Sequence, residues 1–115
     1  MYFKIGLFIL FLTMSLQTPE VYAYNIAKNI CDYIAADDKK RLRKLLKAHR
    51  LKLRKLYKDM SSNNQNILVF SASRNAQEVS GLLVKKLPKK ILKENIAQVE
   101  SISPEIANSI KERVK

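Results

Sequence analysis

The chain is poor in the residues from which catalytic and metal centres are usually assembled. It has one cysteine, Cys31, one histidine, His49, and two glycines, Gly6 and Gly81, among 115 residues. A lone cysteine excludes an intramolecular disulfide. One Cys and one His cannot make a four-ligand zinc site without carboxylates at suitable spacing. Two isolated glycines exclude a Gly-rich phosphate loop, and no nucleophile elbow is present. Cys31 and His49 leave a Cys–His hydrolase as a formal alternative. However, Cys31 lies on an apolar helical stripe with no oxyanion signature beside it, so no enzyme, metal or cofactor is expected. Cys31 reads as a buried apolar thiol or as one half of an intermolecular bridge. His49 reads as a helix-end residue near a C-terminal dipole. Acidic residues are also scarce: 22 Lys and Arg face 10 Asp and Glu, for a net charge of +12. Such an excess implies an anionic partner or a strong solubility constraint, and it says nothing about fold.

Residues 1–23 read as a secretory signal segment. Lys4 supplies a positive n-region, and Ile5 to Leu16 form an apolar run of about a dozen residues, short of the roughly 20 that span a bilayer. Pro19 follows the run, and Val21 and Ala23 are small residues at −3 and −1 of a cleavage site between Ala23 and Tyr24. An uncleaved N-terminal anchor is the alternative. The removed segment contains Lys4 and Glu20, so the mature chain keeps the whole of the +12. The expected location is periplasmic or secreted, with no transmembrane span after cleavage.

The rest is expected to be one small all-α domain. Ile30 to Leu46 superimposes on Ile67 to Leu83 at an offset of 37, a period within the range of helical repeats. Each copy reads as helix, tight turn, helix. Ile26, Ile30, Tyr33 and Ile34 share one helical face, and Leu42, Leu45 and Leu46 share the next. Asp37 and Asp38 are N-cap candidates between them. In the second copy Ile67, Leu68, Ser71 and Ala72 build the first helix. Asn75 with Glu78 has the spacing of a capping box, Val79, Leu82, Leu83 and Leu87 form the buried stripe, and Pro88 ends the helix. Leu51 to Met60 favours a helix, with a strand as the alternative, and Ser61 to Asn64 is a turn-rich connector. Ser103-Pro104-Glu105 marks a helix start. Glu94 to Ile102 has weak periodicity. The expected organisation is therefore a repeat-like domain over residues 24–92, then a linker and C-terminal helix over 93–115.

Tyr33 to Asp38 with Leu42, Leu45 and Leu46, and Phe70 to Val79 with Leu82 and Leu83, resemble the ankyrin repeat, without its Thr-Pro-Leu-His opening or turn glycines. That resemblance implies two stacked antiparallel helix pairs and no activity. A closer resemblance, carried by Ile30 to Arg43, Arg50 to Arg54, Asn75 to Val79 and Lys85 to Pro88, is to an uncharacterised family of small exported proteins of Gram-negative bacteria, a domain of unknown function. Similar proteins tend to carry a second cysteine where Ser61 and Ser62 stand here. The resemblance implies that such a cysteine could pair with the one matching Cys31, which is left without that partner in this chain.

The strongest functional signal is a basic run. Lys39, Lys40, Arg41, Arg43, Lys44, Lys47, Arg50, Lys52, Arg54, Lys55 and Lys58 fall within 20 residues, and no acid separates them. On a helix, Lys40, Arg43, Lys44 and Lys47 oppose Leu42, Leu45 and Leu46, giving a cationic ridge backed by leucines. The ridge reads as a surface for an anionic polymer, a lipid headgroup or an acidic protein. Nucleic acid would satisfy the same electrostatics, but the signal segment argues against it, and Tyr57 is the run's only aromatic. A structural or stress-related protein whose charge serves solubility is the alternative. A membrane-lytic helix over Leu42 to Leu56 conflicts with the core's need for the same leucines.

Overall fold

The computed structural model describes residues 19–115, so the signal run over residues 1–18 lies outside the described residues. The described residues form seven helices: α1 (Pro19–Ala35), α2 (Lys39–Ala48), α3 (Leu53–Asp59), α4 (Ile67–Ser73), α5 (Gln77–Lys86), α6 (Lys89–Ile102) and α7 (Pro104–Val114). The all-helical expectation holds. Leu51 to Met60 resolves to the helix, α3, and among the described residues the only pairing of extended residues is an isolated bridge between Ser62 and Gln65.

Three helices end on the same device. At the ends of α1, α2 and α4 the chain enters the left-handed region at Asp37, Arg50 and Asn75, each with φ of 53°. In each case the next amide reaches back five residues: Asp38 N–H to Tyr33 O at 2.8 Å, Leu51 N–H to Leu46 O at 2.8 Å, Ala76 N–H to Ser71 O at 2.9 Å. This is the Schellman closure, which satisfies carbonyls that the helix end would otherwise orphan. Asp and Asn tolerate the left-handed conformation better than other non-glycine residues, so two of the three turns need no glycine.

The turns also correct the repeat register. Asp37 matches Asn75, Lys39 matches Gln77 and Ala48 matches Lys86, so the structural offset is 38 rather than 37. Asn75 is therefore not the N-cap of α5. That position is Ala76, which offers no side-chain acceptor. The missing cap comes from the turn after α1: Asp37 Oδ1 accepts from Val79 N–H at 2.8 Å and Oδ2 from Glu78 N–H at 3.2 Å. Asp38 caps its own helix as expected, accepting from Arg41 N–H at 3.1 Å. One carboxylate thus starts α2 and its neighbour starts α5, placing negative charge at both helix N-termini.

α4 is the centre of the molecule. Ile67 through Ala72 are all buried, as expected of a helix with neighbours on every side; it packs against α1, α3, α5 and α6. The stripes of the flanking helices differ in detail from the sequence reading. On α2 the fully committed positions are Leu42 and Leu46, with Leu45 half-buried, and on α5 they are Val79, Leu83 and Val84, with Leu82 half-buried. Ser71 and Ser80 are buried between α4 and α5, where Ser80 Oγ donates to Ser71 Oγ at 2.8 Å and Ser71 Oγ donates to Leu68 O at 2.7 Å.

Residues 93–102 are not a linker. They belong to α6, which forms a tight hairpin with α7 through Ser103. Ile91, Leu92, Asn95 and Val99 bury one face of α6, and Ile106, Ala107 and Ile110 bury the facing side of α7. Asn95 is the reason the pattern reads weakly: a polar residue occupies the middle of the stripe. Its Nδ2 donates to Tyr57 Oη at 2.9 Å and Ile91 O at 2.8 Å, and its Oδ1 accepts from Asn66 Nδ2 at 3.0 Å. A buried amide so fully partnered costs little. It also ties α3, the start of α4 and α6 together. Ser103 Oγ accepts from Ile106 N–H at 3.3 Å, with Pro104 at the first helical position, as the sequence indicates.

Candidate cationic groove

α2 and α5 begin at neighbouring points, because Asp37 joins the end of α1 to the first turn of α5. The space beside them is an open groove of about 1320 Å³, lined also by the segment after α2, by Leu87-Pro88 and by Arg113 of α7. The side of α2 facing it is mostly cationic, with Lys39, Lys40, Arg43, Lys44 and Lys47 at the i, i+3 and i+4 spacings that share one helical face, and with Leu46 beside them. Arg50, Lys52 and Arg54 continue the lining past the end of α2. α5 contributes Glu78, Leu82 and Lys86, spaced i, i+4 and i+8, and α7 contributes Arg113. Leu51, Leu53, Leu87 and Pro88 add an apolar sector.

Eight of the eleven cations singled out in the sequence therefore line one groove. The other three do not. Arg41 points away, 72 % exposed and 3.4 Å from Asp38. Lys55 and Lys58 line a smaller depression of about 550 Å³ on α3, and Lys55 is 3.2 Å from Asp59. Two groove cations were not singled out in the sequence. Lys86 sits one helical turn after Leu82, so the face of α5 could have indicated it. Arg113 has no local signal, because only the docking of α7 against α5 brings it there.

Ten basic side chains face three carboxylates in this groove, and all three carboxylates are engaged. Asp37 and Asp38 cap helices, and Glu78 is 3.3 Å from Lys39. The remaining groove cations, from Lys40 on, take part in no ion pair among the described residues. Cations on adjacent helical turns lie within a Debye length of about 8 Å at physiological salt, so their potentials add. Surface ion pairs elsewhere are ordinary: Lys28, for example, is held above its usual range by its hydrogen bond to Asp32, and lies on α1.

The two residues that suggested Cys–His chemistry engage different partners. Cys31 is half-buried on α1, and its Sγ contacts Ser62 Oγ in the connector before α4. His49 is the C-cap of α2, with Nδ1 2.9 Å from Tyr22 Oη and the two rings edge to face. The Ala23–Tyr24 bond lies within α1, among exposed residues. Among the described residues, no group of three His, Cys, Asp or Glu side chains gathers, and no helix is long and apolar enough to cross a membrane.

The fold and groove define a small all-helical module with a cation-lined cleft. A family of proteins of unknown function, DUF3718, matches residues 30–94. The chain belongs to that family. The matched residues take in α2, α3, α4 and α5 and so nearly all of the groove, while Arg113 lies beyond them. No curated protein and no solved structure shows a significant match to the chain.

Proposed function

We propose that the protein is an exported, non-enzymatic binding module that engages an anionic surface or partner through the groove along α2. One observation carries this reading: eight of the eleven cations of the basic run line a single groove, to which Lys86 and Arg113 are added from two other helices. A charge excess serving solubility alone has no need of such convergence. The signal-like residues 1–23 support a periplasmic or secreted site of action. The two helix pairs, α1–α2 and α4–α5, support a stacked, ankyrin-like arrangement with the groove on one of its faces.

The test compares two proteins of equal net charge. In one, Lys40, Arg43, Lys44 and Lys47 become Gln. In the other, Lys85, Lys89, Lys90 and Lys93 do, all exposed and outside the groove. Gln keeps helix propensity nearly constant. Binding to a soluble polyanion such as polyphosphate should fall with rising salt. It should be lost from the first variant and retained by the second. Equal loss from both would mean that the charge acts only as a diffuse field, which is the solubility reading.

A further inference from the structure

The groove has two chemically different sides, and this narrows what fits it. The α2 side carries Lys39, Lys40, Arg43, Lys44 and Lys47 around the largely buried Leu46. Leu82 on α5, with Leu51 and Pro88 beyond the helix ends, adds half-buried apolar surface to the same groove, beside Glu78 and Lys86. A purely polyanionic ligand would satisfy the first side and leave the second in water. A ligand that uses both must itself be two-faced, with acid on one side and hydrocarbon on the other. Size gives a second constraint. α2 has 10 residues and is therefore about 15 Å long. A helix of that length, about 10–12 Å across with its side chains, fills roughly 1,200–1,700 Å³. The groove's volume is about 1320 Å³, above the roughly 300–1,000 Å³ usual for small-molecule pockets.

From these two matches we propose that the occupant is an acidic amphipathic helix of about three turns, presented by a partner protein, with its carboxylates along α2 and its apolar stripe on Leu82, Leu51 and Pro88. This is helix-in-groove recognition, in which anchors at i, i+4 and i+7 give affinity and flanking charge gives register. Arg113 and Lys86 lie at the end of the groove where α2 and α5 finish, so they meet one terminus of the bound helix. They favour its C-terminal end, whose carbonyls and dipole carry partial negative charge. The inference rests on the groove being the binding site.

The probe is a synthetic peptide of about three turns, with leucines at i, i+4 and i+7, glutamates elsewhere and a side-chain staple, since so short a helix is marginal alone. Its control is a stapled peptide of identical composition with the leucines scattered around the helix. By fluorescence anisotropy the amphipathic peptide should bind at least tenfold tighter than the control. Leu82→Gln should remove that preference while leaving the control's affinity unchanged. Equal affinity for the two peptides overturns the proposal, and because it compares ligands on the unaltered protein, it does so whether or not Leu82→Gln folds. If polyphosphate still binds and depends on the α2 lysines, the proposed function survives while the helical partner is rejected. If Leu82→Gln weakens binding to vesicles of phosphatidylglycerol and not to the amphipathic peptide, the apolar side serves a lipid and the helix proposal fails.

Discussion

Replacing Asp37 offers the sharpest test of how the two halves of the fold are joined. Two effects are superposed at this residue. It holds a left-handed backbone conformation with φ of 53°, and its carboxylate satisfies Glu78 N–H at 3.2 Å and Val79 N–H at 2.8 Å on another helix. Forcing Ala into the left-handed region costs about 1 kcal/mol. Losing a charged acceptor that caps a helix costs about 2 kcal/mol at a half-buried site, between the usual N-cap loss and that of a charged hydrogen bond. Asp37→Ala should therefore destabilise by about 3 kcal/mol, a large share of the roughly 5–15 kcal/mol of a domain this size. Asn75 separates the two terms. It has the same φ, but its side chain only accepts from exposed Gln77, so Asn75→Ala should cost about 1 kcal/mol. Gly relieves the backbone in both. Asn75→Gly should then be close to neutral, while Asp37→Gly should still lose about 2 kcal/mol. Urea denaturation with unchanged m-values would measure all four. If Asp37→Gly is no worse than Asn75→Gly, the cap from Asp37 onto α5 contributes nothing and the reasoning fails.

Further predictions concern the core and the thiol. Leu83→Ala, at a fully buried position, should cost about 3–4 kcal/mol, whereas Leu82→Ala, on the groove side, should cost less than half as much; equal losses in chemical denaturation would contradict the assigned face of α5. Ser62→Cys should form a disulfide with Cys31, because their side chains are already in contact. The loop it closes predicts about 3–4 kcal/mol of stabilisation under oxidising conditions. Thiol titration and the difference in denaturation midpoint with and without reductant would measure it, and two free thiols after oxidation would refute the contact.

Most of the helices were legible because their signals are local. The Ser103-Pro104 start, the stop at Pro88 and the apolar faces of α1 and α2 depend on neighbours a turn apart. The turns were located too, but their register was not. α4 is apolar from Ile67 to Phe70 and buried through Ala72, so an offset of 37 pairs apolar with apolar as well as 38 does, and only the left-handed residues decide between them. α6 was obscured by Asn95, whose burial depends on Tyr57 and Asn66, partners 38 and 29 residues away. The same logic divides the site. A run of cations on one helix is visible in sequence, as is the cap at Asp38. Arg113 in the groove and Asp37 on the first turn of α5 depend on packing between distant segments, and no spacing rule encodes that.

The engagement of the groove's three carboxylates has a consequence for the unoccupied protein. Nothing acidic in the groove remains to offset the cations from Arg43 to Arg54, so folding gathers like charges that the unfolded chain keeps apart. The free protein is therefore less stable than its core alone would make it. Dissolved ions act on this in two opposing ways. By screening the mutual repulsion they steady the free protein, and by competing for the same cations they loosen any complex with an anion. The acidic ligand proposed for the groove would supply the counter-charge the chain lacks, so adding one should raise the melting temperature. The proposed recognition and the folding stability would thus draw on the same imbalance.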